Sequence, residues 1–585
     1  MRRLALFFGL CLLLEDLLPL RAVPLVSTCA IQGRYYTSPY NGQTVRTRGV
    51  VFADLDETAQ KGFYIQDSAC DSSPSTSDGL FIYLGERINA VQPGDQVEVS
   101  GLVNEYYGLT ELQAAASAVA ILARSQPLPA ATPLSPPFEA SAARAYFEAR
   151  ESMYVRLDDA RVVGPTDSDD RTWVVETVLG LERVPYNHPA GLGGILCVDD
   201  RGLYEIYPEA AVGQQVLGLL GALDFRLGQY CLELTATPSL LAAAPERASA
   251  AARHSDSAST LGIASFNLAN LFDTLDDPAV DDDVLSGPEY QRRLQKRALA
   301  LRDSLGLPDV VALQEAENRA VLEALITRPE IQVPYQIVHF DGPDVRGLDI
   351  ALLLRSDRVA LLDAQVRQGC TSLIDGLGPD GNGDVLNPQN ALTCDQDGDG
   401  QPDGNRLFSR PPLAALIQTD LGAGSLRLWV LANHWKSRLE DSDEVAYTLP
   451  RRQEQAAFTA AWASELQAAS PSTGLVILGD LNDYPGSGPL ATLAPLGLTN
   501  LLAALPSTAG YTYIYHGVSQ PLDTILLGLP PGLALDAFQP LHINADFPYS
   551  WTSQIDTPRG CSDHDPLLAV LAPAPVPVFL PLVRR

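Results

Sequence analysis

Three short stretches carry side chains able to hold a metal ion or move a proton: Gln314-Glu315, Gly479-Asp480-Leu481-Asn482 and Ser562-Asp563-His564. Two follow unbroken apolar runs, Val310 to Leu313 and Leu475 to Leu478. Strands buried on both faces read this way. Strands ending at these residues would bring carboxylates, an amide and an imidazole to one edge of a core. That set suits hydrolysis of a phosphate ester with a hard divalent cation.

The elements around these groups alternate. Leu294, Ala298, Leu301 and Leu305 fall at helical spacing before the strand that leads to Glu315. A helix over roughly 451–468 precedes the strand that leads to Asp480. Alternation by itself predicts a parallel sheet. Upstream the pattern is all-β: residues 24–130 alternate between Gly and Pro punctuation, a Pro-rich linker follows, and 137–242 form a second β-rich unit. The second repeats part of the first. Gly101 to Gly108 matches Gly221 to Gly228, and each copy follows a Gly-x-Gln-Val element, Gly94 to Val97 and Gly213 to Val216. Two barrels of one type are expected.

The net charge of −31 over 585 residues counts against a nucleic-acid binder held by long-range electrostatics. It does not exclude a nuclease, because a bound cation sets the local charge. Arg2 and Arg3 precede an apolar run from Leu4 to Leu14, which reads as a secretory signal peptide over 1–23. No segment looks transmembrane. Seven cysteines follow Cys11. Nearest-neighbour pairing gives Cys29–Cys70, Cys197–Cys231 and Cys370–Cys394, a pattern that agrees with export, and leaves Cys561 odd. The tail, 573–585, reads as a flexible end.

The third region, 259–572, resembles the endonuclease/exonuclease/phosphatase superfamily, DNase I-like nucleases included. The matching text is Ser265-Phe266-Asn267, Leu313-Gln314-Glu315, Asn433-His434-Trp435-Lys436-Ser437, Gly479-Asp480-Leu481-Asn482-Asp483, Leu522-Asp523 and Ser562-Asp563-His564-Asp565-Pro566, in the family's order. The resemblance implies a four-layer α/β sandwich with mixed sheets in place of the parallel sheet. Residues 24–130 resemble the OB-fold-like module that precedes such domains in secreted bacterial enzymes, with Tyr64, Tyr106 and Tyr107 as candidate stacking residues. The expected fold is therefore two OB-like barrels followed by a DNase I-like sandwich.

Side-chain chemistry, supported by the family arrangement, assigns roles. Glu315, Asp563 and Asn267 would hold Mg²⁺ or Mn²⁺. Asn482 offers a neutral amide for a metal, a water or a phosphate oxygen. Asp480 would orient or deprotonate the attacking water. His564 with Asp523 reads as an acid/base dyad, the carboxylate fixing the tautomer. The resemblance gives His434 a hydrogen bond to the scissile phosphate. Asp349 would steady it, and Lys436 would add positive charge at the phosphate. In an apparent insertion over 370–410, Asp395, Asp397, Asp399 and Asp403 space oxygens as a calcium loop does, with Arg406 where an EF-hand needs Glu; Asp380, Asn382 and Asp384 form a possible partner loop. His516 and Thr524 depart from many secreted relatives and bear on substrate preference. The expected activity is metal-dependent hydrolysis of nucleic acid, extracellular DNA being the favoured substrate. The rival substrate is a sphingomyelin- or inositol-phosphate-type ester.

Overall fold

A computed structural model describes residues 23–67, 69–71, 73–201, 209–226, 228–241, 257–371, 394–395, 398–401, 403–422, 424–439, 441 and 446–574. The expected signal peptide (apart from residue 23), Asp397, the 380–384 loop and nearly all of the tail lie outside them. The chain divides into two compact units. One comprises Met1–Thr132, Ala145–Val155 and Gly221–Tyr230; the other comprises Pro133–Arg144, Arg156–Leu220 and Cys231–Arg585.

The first unit contains a closed five-stranded barrel. In space its strands run Thr44–Leu55, Gly62–Gln66, Gly79–Tyr83, Leu109–Gln113 and Gln96–Tyr106, and the last pairs back onto the first. The third and fourth in that order are parallel. Alternate residues such as Val97 and Val99 point inward, onto Phe63, Ile65 and Ile82. Tyr64 is fully buried, so a stacking role for it is withdrawn, whereas Tyr106 and Tyr107 are exposed. Cys29 and Cys70 are disulfide-bonded across a separation of 41 residues. Loop-closure entropy assigns such a link about 4 kcal/mol. The double variant Cys29→Ala/Cys70→Ala should lower the first unit's unfolding free energy by that amount and bring its urea transition earlier. An unmoved transition would mean that the loop is held by other contacts.

The second β-rich region has the same strand order: Tyr154–Gly164, Thr172–Glu176, Leu196–Asp199, Gln229–Leu234, Gln215–Arg226 and back to the first. Its parallel pair is again the third and fourth, and the Cys197–Cys231 disulfide joins them in register. Gly94 and Gly213 hold the same left-handed backbone, each with φ 89°. The sequence repeat thus marks equivalent turns in the two barrels.

The rest of the second unit is a sandwich of two six-stranded sheets. One runs Tyr335–His339, Asp349–Arg355, Val310–Ala316, Leu261–Leu271, Leu567–Pro573, Leu533–Pro540. The other runs Val359–Val366, Leu413–Asp420, Ser425–His434, Gly474–Asp480, Asp523–Gly528, Thr499–Asn500. Each sheet is antiparallel except at its centre. Leu261–Leu271 and Val310–Ala316 are parallel in one, Ser425–His434 and Gly474–Asp480 in the other. The all-parallel expectation fails, and the mixed arrangement holds. Val310, Ala312, Val476 and Leu478 meet between the sheets. Val311 and Leu313 face outward onto Leu294, Leu301 and Val321. Leu475 and Ile477 face Trp462 and Leu466 of the helix Leu449–Ala469. Both faces of the central strands are therefore covered, which explains their unbroken apolar runs. Ser286 caps the helix Gly287–Leu299, its Oγ accepting from the Glu289 N–H.

Candidate active site

Each parallel pair ends at the same edge of the sandwich. Asn267 and Glu315 stand at the end of one pair, His434 and Asp480 at the end of the other. Backbone irregularities set the final approach. Glu315 has φ 61° and sits in a bulge between Gln314 and Ala316. Ala269 and Asn270 are left-handed too, where Leu261–Leu271 slips register. Such conformations cost energy in non-glycine residues and gather at functional sites. Before Asp480, Gly479 has φ 130°, and a Cβ there would lie 1.9 Å from the Asn433 carbonyl oxygen. Only glycine lets the two strands close so that His434 stands opposite Asp480.

The side chains then interlock. Asn267 Nδ2 donates to Glu315 Oε1 at 3.1 Å and to Asp480 Oδ2 at 3.2 Å, tying one sheet to the other. The other Glu315 oxygen accepts from the Asn270 N–H at 2.8 Å. His434 Nε2 lies 3.5 Å from Asp480 Oδ2 and 3.8 Å from Glu315 Oε1. Asp523 pairs with Asp480 across adjacent strands, and its Oδ2 meets His564 Nδ1 at 2.7 Å. His564 Nε2 is left facing Asp480 Oδ2 at 3.9 Å. Ser562 Oγ donates to the Asn267 carbonyl at 2.8 Å, which fixes the Asp563–His564 loop against the first sheet. Asp563 is exposed at the rim, where its charge and that of Glu315 repel. Asn482 faces inward on the backbone: its N–H donates to Asp480 Oδ1 at 3.0 Å and its Nδ2 to the Trp435 carbonyl at 3.1 Å.

The surroundings push the two imidazoles in opposite directions. Burial pushes His434 well below its ordinary value, and the Arg410, His564 and Arg346 charges push the same way. Burial also opposes a charge on His564, but Asp523, Asp480 and Asp563 outweigh it and lift His564 well above its ordinary value. Burial, then the Asp523 charge, push Asp480 up to about 7.

The donor set fits a hard cation. Asp480, Asp523 and His564 present ligand atoms within 4.8 Å of one another. In that triplet Asp523 takes His564 Nδ1, and the ring offers Nε2 toward Asp480, an arrangement suited to proton handling. Glu315 and Asp563 remain as oxygen donors, whereas Asn267 turns its Nδ2 to the carboxylates and its Oδ1 accepts from the Ala269 N–H at 2.9 Å, so its amide would have to turn to offer a cation its oxygen. Glu315 crowds both Asp480 and Asp563 with like charge, and among the described residues His434 Nδ1 is buried with no hydrogen-bond partner.

Asp349 does not reach His434. Its carboxylate accepts from His339 at 3.0 Å and from the Gly342 N–H at 2.8 Å, so the steadying role expected for it is not seen. Lys436 is half-buried on the loop that leaves the strand Ser425–His434. In the acidic loop, Asp395 accepts from the Gly398 and Gly400 N–H groups at 2.7 and 2.9 Å, Asp399 accepts from the Gln401 N–H at 2.7 Å, and the Asp403 N–H donates to the Cys394 carbonyl. Cys370 and Cys394 are disulfide-bonded beside that loop. Cys561 is free and buried, and burial pushes its thiol up to about 11, so it is inert.

Sequence reasoning missed Arg410. It is buried, its Nε lies 3.8 Å from Asp344 Oδ2 and has no hydrogen-bond partner among the described residues, and its charge acts on His434. The available signal was an arginine in Ser409-Arg410-Pro411-Pro412, directly before the strand Leu413–Asp420. Nothing in its spacing linked it to His434.

Residues 262–370 match the Endonuclease/Exonuclease/phosphatase family model. That stretch carries Asn267 and Glu315 and stops before His434, Asp480, Asp523 and His564. No curated protein matches the chain. Among solved structures, the chain is similar to D. rerio TDP2 complexed with a single-strand DNA product, at 18% identity over 53% of this chain and 98% of that one, with a TM-score of 0.33. An endonuclease/exonuclease/phosphatase from Bacteroides vulgatus matches at 15% identity over 54% and 99%, with a TM-score of 0.33. The human Nocturnin catalytic domain with bound sulfate matches at 15% over 54% and 95%, with a TM-score of 0.32. At these values the likeness carries nothing about substrate.

Proposed function

We propose that this protein is an exported, divalent-cation-dependent phosphodiesterase that hydrolyses nucleic acid, DNA being the favoured substrate. One observation carries the reading: Glu315, Asn267, Asp480, His434, Asp523 and His564 meet at one edge, where carboxylates favour the charged form of His564 and burial favours the neutral form of His434. Glu315, Asp563 and Asn267 would hold Mg²⁺ or Mn²⁺, which supplies positive charge against an anionic phosphoryl group. Asp523 occupies His564 Nδ1, so the proton that His564 can exchange sits at Nε2. Asp480 Oδ2 accepts a proton or orients water from the opposite side. Asn482, held by Trp435, keeps the Asp480 carboxylate in place through its own N–H. Neutral His434 donates a hydrogen bond to a phosphate oxygen without adding charge, and Lys436 and Arg410 add positive charge around it. The three disulfides support export. The two barrels are proposed to be OB-like modules, and the acidic loop at Asp395, Asp399 and Asp403 a calcium site, with Asp397 completing the set.

The test is incubation of circular and linear DNA with Mg²⁺, with and without chelator. Chelator-sensitive cleavage is expected. Nicked circles mean endonuclease, and loss of linear DNA alone means exonuclease. Release of phosphocholine or inorganic phosphate from small esters with DNA untouched would refute the nuclease reading. Arg410→Gln should lower kcat by about 10²-fold, the scale for one lost charge-stabilising donor. Full activity in that variant would place Arg410 outside the site.

A further inference from the structure

The second barrel is bound to the sandwich by an arginine. Arg183 is 3% exposed at its side chain and enters the sandwich beside the hairpin of Tyr513–Tyr515 and Val518–Gln520. Its Nη2 meets Asp546 Oδ1 at 2.7 Å, and its Nη1 donates to Ser519 Oγ at 2.9 Å. Next to it, Val184 and Pro185 form a parallel ladder with Val518 and Ser519, and the Val212 N–H donates to the Asp546 carbonyl.

From Arg183 a continuous polar stack leads to the catalytic loop. The guanidinium lies 3.7 Å from the centroid of the Tyr511 ring. The His542 ring lies 3.9 Å from that ring at an interplanar angle of 3°. Two planar groups that close to one ring cannot share a face, so Tyr511 is sandwiched between them. Tyr511 Oη donates to the second Asp546 oxygen at 2.8 Å. His542 Nδ1 meets Asp565 Oδ2 at 2.8 Å, and Asp565 Oδ1 accepts from the Asn544 N–H at 2.8 Å. Asn544 Nδ2 then donates to the His564 carbonyl at 2.6 Å, while its Oδ1 accepts from the Cys561 N–H at 3.0 Å. Residues 544–546 therefore take one grip from the second barrel and another from the loop bearing Asp563 and His564.

We propose that the second barrel is a working part of the active site and that Arg183 is the positioning residue through which it fixes the backbone of His564. The inference rests on the phosphodiester reading only where turnover is measured. A charged, planar group is needed at 183, because the site asks for a salt bridge, a second donor and a flat face at once. Loss of such a support moves a catalytic group by a fraction of its hydrogen-bond length, and effects of 10–100-fold are usual for that.

The test uses the full chain in three forms: Arg183→Lys, Arg183→Met, and Arg183→Met/Asp546→Asn, which leaves no buried charge unpaired. In the folded double variant kcat should fall about 10- to 100-fold with KM within about twofold. The low-field ¹H signal of His564 Nδ1–H, assigned by its loss in His564→Gln, should shift or vanish. Arg183→Lys should recover part of both. A folded double variant with the native His564 signal and native kcat would overturn the proposal. If the native protein cleaves no phosphodiester, the functional reading falls, and the His564 signal still decides the role of Arg183.

Discussion

His564→Ala should lower kcat for DNA cleavage by about 10²- to 10⁴-fold, the range for a positioned general acid or base. The argument rests on how completely the ring is committed. Its Nδ1 is held by Asp523 at 2.7 Å, it is buried, and only Nε2 remains to exchange a proton. Asp523→Asn should come close to the same loss, because an amide can pair with the other tautomer and turn the proton away from the site. The double variant should be little worse than either single one, since the two groups act as a unit. The check is steady-state cleavage of a plasmid substrate with circular dichroism to verify folding. Additive losses in the double variant would separate the two residues, and near-native turnover in His564→Ala would remove the proton-handling role from this histidine.

Much of this site was legible because chemistry and element type coincided along the chain. Unbroken apolar runs ending in Glu315 and Asp480 announced strands covered on both faces, and the helix Leu449–Ala469 lies close to the 451–468 expected for it. Strand direction was not legible. Periodicity is the same for parallel and antiparallel neighbours, so alternation suggested a parallel sheet where each sheet has one parallel pair. The left-handed backbone of Glu315 was hidden as well, because glutamate gives no local sign of a bulge. Long-range polar partners were the other blind spot. Asp349 opens the strand Asp349–Arg355, and its partner is His339, ten residues away, rather than His434. Arg183 and Arg410 look like ordinary surface arginines until the fold buries them. Tyr64 failed in the opposite direction: the pleat places it on the face opposite Phe63 and Ile65, and Phe52 and Phe81 bury it there.

Glu315→Gln should abolish detectable cleavage at ordinary Mg²⁺ concentrations and should also erase a stabilisation that involves no catalysis. Glu315, Asp480, Asp523 and Asp563 gather at one edge, and Glu315 repels both Asp480 and Asp563, a crowding that a bound cation relieves. A cation that binds only the folded protein raises its stability by about 2.7 kcal/mol at one hundred times its Kd. The native protein should therefore melt later as Mg²⁺ is added, and Glu315→Gln should lose that shift while keeping its metal-free Tm. The effect should depend on pH in a definite direction. Burial and Asp523 raise Asp480 to about 7 in the folded chain, above its ordinary 3.8. The folded state thus holds this proton more tightly, and the metal-free protein loses stability from this group as pH rises from about 4 to about 7. A cation competes with the same proton, so the Mg²⁺-induced rise in Tm should grow across that window, and binding at pH 6 should release protons measurable by calorimetry in buffers of different ionisation enthalpy. A Tm shift unchanged by Glu315→Gln would place the cation elsewhere, and a shift that shrinks as pH rises from 5 to 7 would remove Asp480 from its surroundings.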